Sequence, residues 1–246
     1  MAERIALNDI AKMLDHSTLQ PYLTEEDIRK GCDIALKYNS ATVCARPGDM
    51  PLVSKLLSGS SVLPCTVIGF PHGNHRTDVK VFEAEKALDD GCKELDMVLN
   101  IGKMLAGDEA FVQDEIAKLA ACAHGRDAIL KVILETCYLS DEQIVAACRL
   151  SEAAGADFVK TSTGYGSAGA KVHHVKLMRE SVSDKVRVKA SGGIRTLDAV
   201  LACRLAGAAR CGVSATKAIM EEAEKRDAEG GIFLPDSLDA VLGGGY

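Results

Sequence analysis

The sequence predicts an α/β protein built as a single (β/α)8 TIM barrel, and three observations predict it. Eight short apolar runs alternate with longer amphipathic segments along the chain. The runs are rich in β-branched and apolar residues without strict two-residue alternation, as suits parallel strands covered on both faces. The length, 246 residues, is what one such barrel commonly uses. No G-x-G-x-x-G fingerprint follows the first run, which argues against an open doubly wound sheet.

The weakest run, "KMLDHS" (12–17), opens the series. It is followed by "ATVCARP" (41–47), "TVIGFPHG" (66–73), "KELDMVLN" (93–100), "AILKVILET" (128–136), "FVKTSTG" (158–164), "VRVKASGG" (186–193) and "ARCGVSA" (209–215). Between the runs the spacing is helical. Val112, Ile116, Leu119 and Ala120 share one helix face, as do Val81, Ala84 and Leu88. Thr24 with Asp27 resembles a capping box, and Ser140 with Gln143 fits the standard one. The barrel is expected over residues 1–242, with "GGGY" (243–246) as a flexible tail ending in Tyr246.

Composition limits the partners. No stretch approaches the roughly 18 consecutive apolar residues of a membrane span, and the start, "MAERIALNDIAKML", lacks the basic region and cleavage site of a signal peptide. A soluble, cytoplasmic protein is expected. The nine cysteines are an odd number with no C-x-x-C pair, which fits reduced thiols in a cytosolic setting. The net charge of −6, with both signs mixed along the helices, excludes a nucleic-acid or anionic-membrane surface. Any bound anion must therefore be met by a local site.

In this fold catalytic groups stand at the carboxyl ends of the strands. Those ends here offer Asp15, Cys44, Asp96, Lys131, Lys160, Lys189 and Ser214. The three lysines fall on consecutive runs, each 29 residues after the last. Clustered like charges cost stability, and such costs concentrate at functional sites. The alternative is that each lysine pairs with Asp96, Glu135 or Asp15 in a buried ion network. A lysine attacks a carbonyl only as the free amine, and its reference pKa near 10.4 leaves about one part in a few thousand free at pH 7. Partial burial and a neighbouring ammonium both disfavour the charged form. The resulting iminium would be the electron sink for carbon–carbon bond chemistry, with Asp96 and a second lysine as an acid/base pair. "ASGGIRT" (190–196) and "GVSATKA" (212–218) follow the seventh and eighth runs, where this fold binds phosphate beside a helix N-terminus. Gly192, Gly193 and Ser214 lie there, and Gly164 after the sixth run can join them.

The same residues carry a family resemblance. "LDHSTLQP", "GFPHG", "ELDMVLN", "KVILET", "GADFVKTSTG" and "VKASGGIRT", in this order and spacing, resemble the deoxyribose-phosphate aldolases, a family of class I aldolases, over roughly residues 13–220. The resemblance implies reversible cleavage of 2-deoxy-D-ribose 5-phosphate to acetaldehyde and D-glyceraldehyde 3-phosphate, with no metal or organic cofactor. It implies Lys160 as the Schiff-base nucleophile, Lys189 as the neighbour that lowers its pKa and joins proton transfer, and Asp96 as the acid/base partner. Lys131 falls to polar support, and Gly164, Gly192, Gly193 and Ser214 fall at phosphate-contacting positions. Many such enzymes are homo-oligomers, so a dimer or tetramer is expected. Some end in tyrosine, so Tyr246 is a candidate to fold over the site and assist proton transfer.

Two departures stand out: Gln20 where the family often has lysine, and Ala215 where Ser or Gly is usual. Losing a hydroxyl at position 215 removes about one hydrogen bond, of order 1 kcal/mol, unless Thr216 or a backbone N–H compensates. Among the remaining candidates, His16 beside Asp15 suits a structural role, Cys44 is either pocket lining or inert core, and His72 and His75 lack a third ligand for zinc. The rival functions are another phosphosugar class I aldolase or transaldolase, and a non-catalytic barrel whose lysines are all salt-bridged.

Overall fold

The computed structural model describes residues 4–235. The tail at 243–246 and Tyr246 lie outside the described residues. Eight parallel strands close on themselves in chain order: β2 (Leu14–Thr18), β3 (Thr42–Ala45), β4 (Leu63–Ile68), β5 (Glu94–Val98), β6 (Ile129–Ile133), β7 (Phe158–Lys160), β8 (Arg187–Ser191) and β9 (Ala208–Val213). A short antiparallel pair, β1 (Arg4–Ile5) with β10 (Ile232–Phe233), ties the two ends of the described chain together. That pair has no period long enough to be read from sequence.

Helices follow the strands and wrap them. They are α1 (Leu7–Met13), α2 (Glu25–Tyr38), α3 (Met50–Leu57), α4 (Thr77–Asp89), α5 (Ile101–Leu105), α6 (Glu109–His124), α7 (Asp141–Ala153), α8 (Val172–Ser181), α9 (Leu197–Leu205) and α10 (Thr216–Ala228). Both expected capping boxes form, Thr24 with Asp27 opening α2 and Ser140 with Gln143 opening α7. Val112, Ile116, Leu119 and Ala120 are buried on one face of α6. On α4, Ala84 and Leu88 are buried while Val81 is half-buried.

Strand residues alternate between two compartments. Leu95 and Met97 on β5, Leu130 and Val132 on β6, and Val159 on β7 enter the apolar layer between barrel and helices. Their neighbours Glu94, Asp96, Lys131 and Lys160 enter the barrel and pair with one another. The interior is thus charged rather than filled with branched aliphatics, the usual content of such barrels. A second, small apolar cluster of Cys44, Cys65 and Val67 lies apart from the main layer, with Leu19 and Phe70 against it. Beneath the charges Phe158 is sandwiched by cations, with the Arg187 guanidinium 4.2 Å and that of Arg210 6.0 Å from its ring centroid.

One buried ion pair supports this layout from outside the barrel. Lys80 Nζ on α4 donates to Glu115 Oε2 on α6 at 2.9 Å and to the Val98 carbonyl at the end of β5 at 2.8 Å. Both side chains are fully buried. Removing one partner of such a pair strands a charge in the core, so Lys80→Met is expected to cost about 3–5 kcal/mol of stability. Thermal denaturation of the variant beside the parent checks this; an unchanged midpoint contradicts it.

Candidate active site

The register sets the lysines at two heights. Lys160, the last residue of β7, is the Cα partner of Lys189 in β8. Lys131 is in the middle of β6, level with Asp96 of β5 and Phe158 of β7. It is not at a strand end, and neither are Asp96 and Lys189, each the third of five strand residues, or Asp15, the second residue of β2. What brings the lysines together is the carboxylate of Asp96. Lys131 Nζ donates to its Oδ1 at 2.7 Å, while Lys160 Nζ and Lys189 Nζ both donate to its Oδ2 at 2.7 Å.

The remaining partners differ. Lys189 also lies 2.5 Å from Asp15 Oδ2. Lys131 lies 2.6 Å from Glu94 Oε2 and 3.9 Å from Asp15 Oδ2. Arg210 closes the network, 2.7 Å from Asp15 Oδ1 and 3.5 Å from Glu94 Oε1. Lys160 has Asp96 alone as a carboxylate partner among the described residues. Three carboxylates therefore face four cations, and the loss of a single proton leaves the cluster electroneutral.

Position sets the protonation of the fixed members. Burial pushes the Asp96 carboxyl up, but Lys131, Lys160 and Lys189 together outweigh it and hold it well below the usual carboxylate range. Asp15 is lowered in the same way, burial being overcome by Lys189, Lys131 and Arg210. Burial pulls Lys189 down, yet Asp15 and Asp96 carry it above the ordinary lysine value. Burial is likewise reversed at Lys131, chiefly by Asp96 with help from Cys65, Glu94 and Asp15. Lys189 and Lys131 are standing ammoniums. The ion network weighed against catalysis on sequence grounds is present, with Glu94 in place of Glu135.

Glu135 serves a different purpose. It ends the β6 segment with φ +54°, and its carboxylate accepts from the backbone N–H of Thr163 at 3.2 Å and from the Thr163 hydroxyl. This holds the Lys160–Tyr165 loop over the barrel mouth. Tyr165 then crosses the mouth, its hydroxyl donating to the Leu19 carbonyl at 3.0 Å and its ring meeting Phe70 edge-on at 5.3 Å.

A cavity of about 560 Å³ opens at this mouth. Lys160 and Lys189 form its floor with Asp15 and Cys44, and Gly164, Gly192, Gly193 and Ser214 line it too. Lys131 and Asp96 do not line it. At the glycine end the backbone is shaped to stay open. Gly192 holds φ +89°, and a Cβ there would meet Gly169 Cα at 2.8 Å. Ser214, on the cavity lining, precedes α10, whose N-terminus carries no side-chain cap. Thr216 cannot replace the hydroxyl missing at Ala215. Its Oγ1 is buried and paired with His16 Nδ1 at 2.9 Å. Gln20 is exposed on the cavity rim. His72 and His75 are exposed outside the cavity lining.

Three participants were missed in the sequence. Glu94, Arg210 and Cys65 each stand an even number of residues from an interior neighbour. Glu94 is two before Asp96, so the two-residue strand period puts both on one face. Cys65 Sγ lies 3.3 Å from Asp96 Oδ1 and 3.5 Å from Lys131 Nζ.

A closed parallel barrel with amines gathered on the floor of a glycine-lined cavity is the architecture of a class I aldolase. The DeoC/LacD family aldolase model matches residues 9–222, and the chain belongs to that family of carbon–carbon lyases. Deoxyribose-phosphate aldolase of Thermococcus gammatolerans is 50% identical over 223 residues, covering 90% of this chain and 98% of that protein. That of Rhodopirellula baltica is 44% identical over 219 residues, covering 89% and 91%. Among solved structures, the tetrameric deoxyribose phosphate aldolase of Aeropyrum pernix matches with a TM-score of 0.84 at 32% identity, covering 90% of this chain and 93% of that one.

His16 supplies a stability test. Burial pushes its imidazole from the ordinary 6.5 down to about 4. The unfolded chain thus takes up this proton near pH 6.5 and the folded chain only near pH 4, so the contribution is present above 6.5 and lost as pH falls through that window. Its size is on the order of 3 kcal/mol. Denaturation of the parent and His16→Asn between pH 7 and pH 4 should show the parent losing more stability; parallel losses contradict it.

Proposed function

We propose that the chain cleaves 2-deoxy-D-ribose 5-phosphate reversibly to acetaldehyde and D-glyceraldehyde 3-phosphate through an imine on Lys160. The observation that carries this reading is the asymmetry among the lysines. Of the three clustered lysines, Lys160 alone combines a single carboxylate partner among the described residues with a place on the cavity floor. Lys189 is held by two carboxylates, and Lys131 is sealed beneath.

In the cleavage direction the free Lys160 amine adds to the substrate aldehyde carbon. Water then leaves from the carbinolamine to give a protonated imine. The bond between the second and third substrate carbons breaks as the third carbon's hydroxyl gives up its proton, and the electron pair flows into the iminium to form an enamine. Asp96, touching both Lys160 and Lys189, is suited to pass protons among hydroxyl, water and amine. Protonation of the enamine carbon and hydrolysis release acetaldehyde and return the amine. The Asp96 carboxylate, 2.7 Å from Lys160 Nζ, stabilises the iminium. Gly164, Gly192, Gly193 and Ser214 hold the phosphate through backbone N–H groups and a hydroxyl.

A homo-oligomeric state is part of the same reading, supported by the tetrameric relative from Aeropyrum pernix. Sedimentation of the purified protein as a monomer contradicts it. A cytoplasmic location is supported by cysteines that are all free and by the lack, among the described residues, of any helix long and apolar enough to cross a membrane.

Borohydride reduction in the presence of acetaldehyde, followed by peptide mass spectrometry, tests the assignment. The expected adduct is on Lys160, and Lys160→Met is expected to lower kcat by about 10^4-fold or more. An adduct on Lys189, or turnover that survives the substitution, overturns it.

A further inference from the structure

The β3–β4 register places Cys44 directly beside Cys65. Both side chains point into the barrel, in the small apolar cluster with Val67. Asp96 is on the next strand, level with Val67. One ligand atom from each of Cys44, Cys65 and Asp96 lies within 4.8 Å of the other two. Nothing in the aldol chemistry described above calls on the two sulfurs.

We propose that Cys44, Cys65 and Asp96 form a binding site for a thiophilic divalent cation of the Zn²⁺ and Cd²⁺ class, and that occupancy of this site excludes imine formation on Lys160. The binding half stands on geometry; the exclusion half rests on the reading of Lys160 given above.

The donor set fits such an ion. Zinc–sulfur bonds of about 2.3 Å and zinc–oxygen bonds of about 2.1 Å put the corners of a tetrahedron roughly 3.5–3.8 Å apart. Cys65 Sγ and Asp96 Oδ1 are already 3.3 Å apart, and the trio spans no more than 4.8 Å. Small side-chain rotations suffice to close it. Three protein donors leave a fourth position open, and Cys44 is itself on the cavity wall, so the ion has an entry path and room for a water.

Charge does not forbid the site. Binding replaces two thiol protons, released to solvent, by one divalent ion, so the net charge of the cluster is unchanged. Each thiol loses its proton when the cation binds, because the thiolate is the ligand. Because two protons are released, affinity rises with pH.

The consequence for catalysis follows from Asp96. Its Oδ1 now accepts from Lys131 and its Oδ2 from Lys160 and Lys189. A cation on Oδ1, the oxygen beside Cys65, takes the place of Lys131 there and weakens the carboxylate as a base for Lys160, which removes the proton relay, and its open position faces the cavity beside Cys44.

The test uses the reduced, full-length protein and Cd²⁺ alone as the probe. Titration is expected to raise a thiolate-to-metal charge-transfer absorption that saturates at one equivalent and is lost in Cys44→Ala and in Cys65→Ala. Acetaldehyde-dependent borohydride labelling of Lys160 is expected to fall at least tenfold at saturation and to recover on chelation with EDTA. Should either variant fail to fold, alkylation of Cys44 in the parent, mapped by peptide mass spectrometry, is expected to be protected by Cd²⁺. Absence of the band, persistence of the band in both variants, or unprotected Cys44 overturns the site. A saturated band with undiminished labelling overturns the exclusion. Failure of Lys160 to label before any cation is added overturns the Lys160 assignment instead, and the absorption result still decides the site.

Discussion

The carboxylate of Asp96 accepts hydrogen bonds from three lysine side chains at once, and the interior of the barrel is arranged around that contact. An isolated carboxylate or ammonium at this depth would lose several kcal/mol of solvation. Each is tolerable only because the others are present. Asp15, Glu94 and Arg210 extend the same logic outward, so that no charge on the barrel floor stands without an opposite neighbour. The register of β5 through β8 is what makes this possible, since Asp96 is level with Lys131 and Lys160 is level with Lys189.

That network also separates three chemically identical side chains. Lys131 and Lys189 are tied to several carboxylates, which holds them positive. Lys160 is tied to one and reaches the cavity. The three differ in the number of their partners, and Lys131 differs from the other two in its height in the barrel. Around this floor the mouth is shaped by backbone devices: the Glu135 carboxylate clasping Thr163, the Tyr165 hydroxyl bridging to Leu19, and the close passage of Gly192 over Gly169. Gly164, Gly192 and Gly193 line the cavity with backbone alone.

Much of the fold was legible because the eight apolar runs carry a clear strand signature and the helices between them carry clear faces and caps. The β1–β10 pair was not, since two-residue strands have no period. Of the charged site residues only Lys160 ends its strand, while Asp96 and Lys189 are the third of five residues in β5 and β8, as Lys131 is in β6. Asp96, Lys189, Lys131 and Asp15 were set too high, because an apolar run gives the extent of a strand only to within a residue or two. The lysines were expected to depress one another, whereas Lys131 and Lys189 are raised by the carboxylates beside them. Clustering of like charges is visible along the chain; the counter-charges that answer it arrive from other strands. Glu94 and Arg210 could have been found by applying the two-residue period inside their runs. The pairing of Cys44 with Cys65 depends on strand register, which no single run reveals.

The barrel floor is built on Lys189 and Lys131 as fixed ammoniums held by shared carboxylates. Nitrogen-15 NMR of the lysine side chains, titrated upward through the ordinary lysine value of 10.5, reads this directly. The account predicts that the Nζ resonances of both residues keep their ammonium shifts beyond that pH while surface lysines titrate. Deprotonation of Lys189 or Lys131 at or below 10.5 would contradict it.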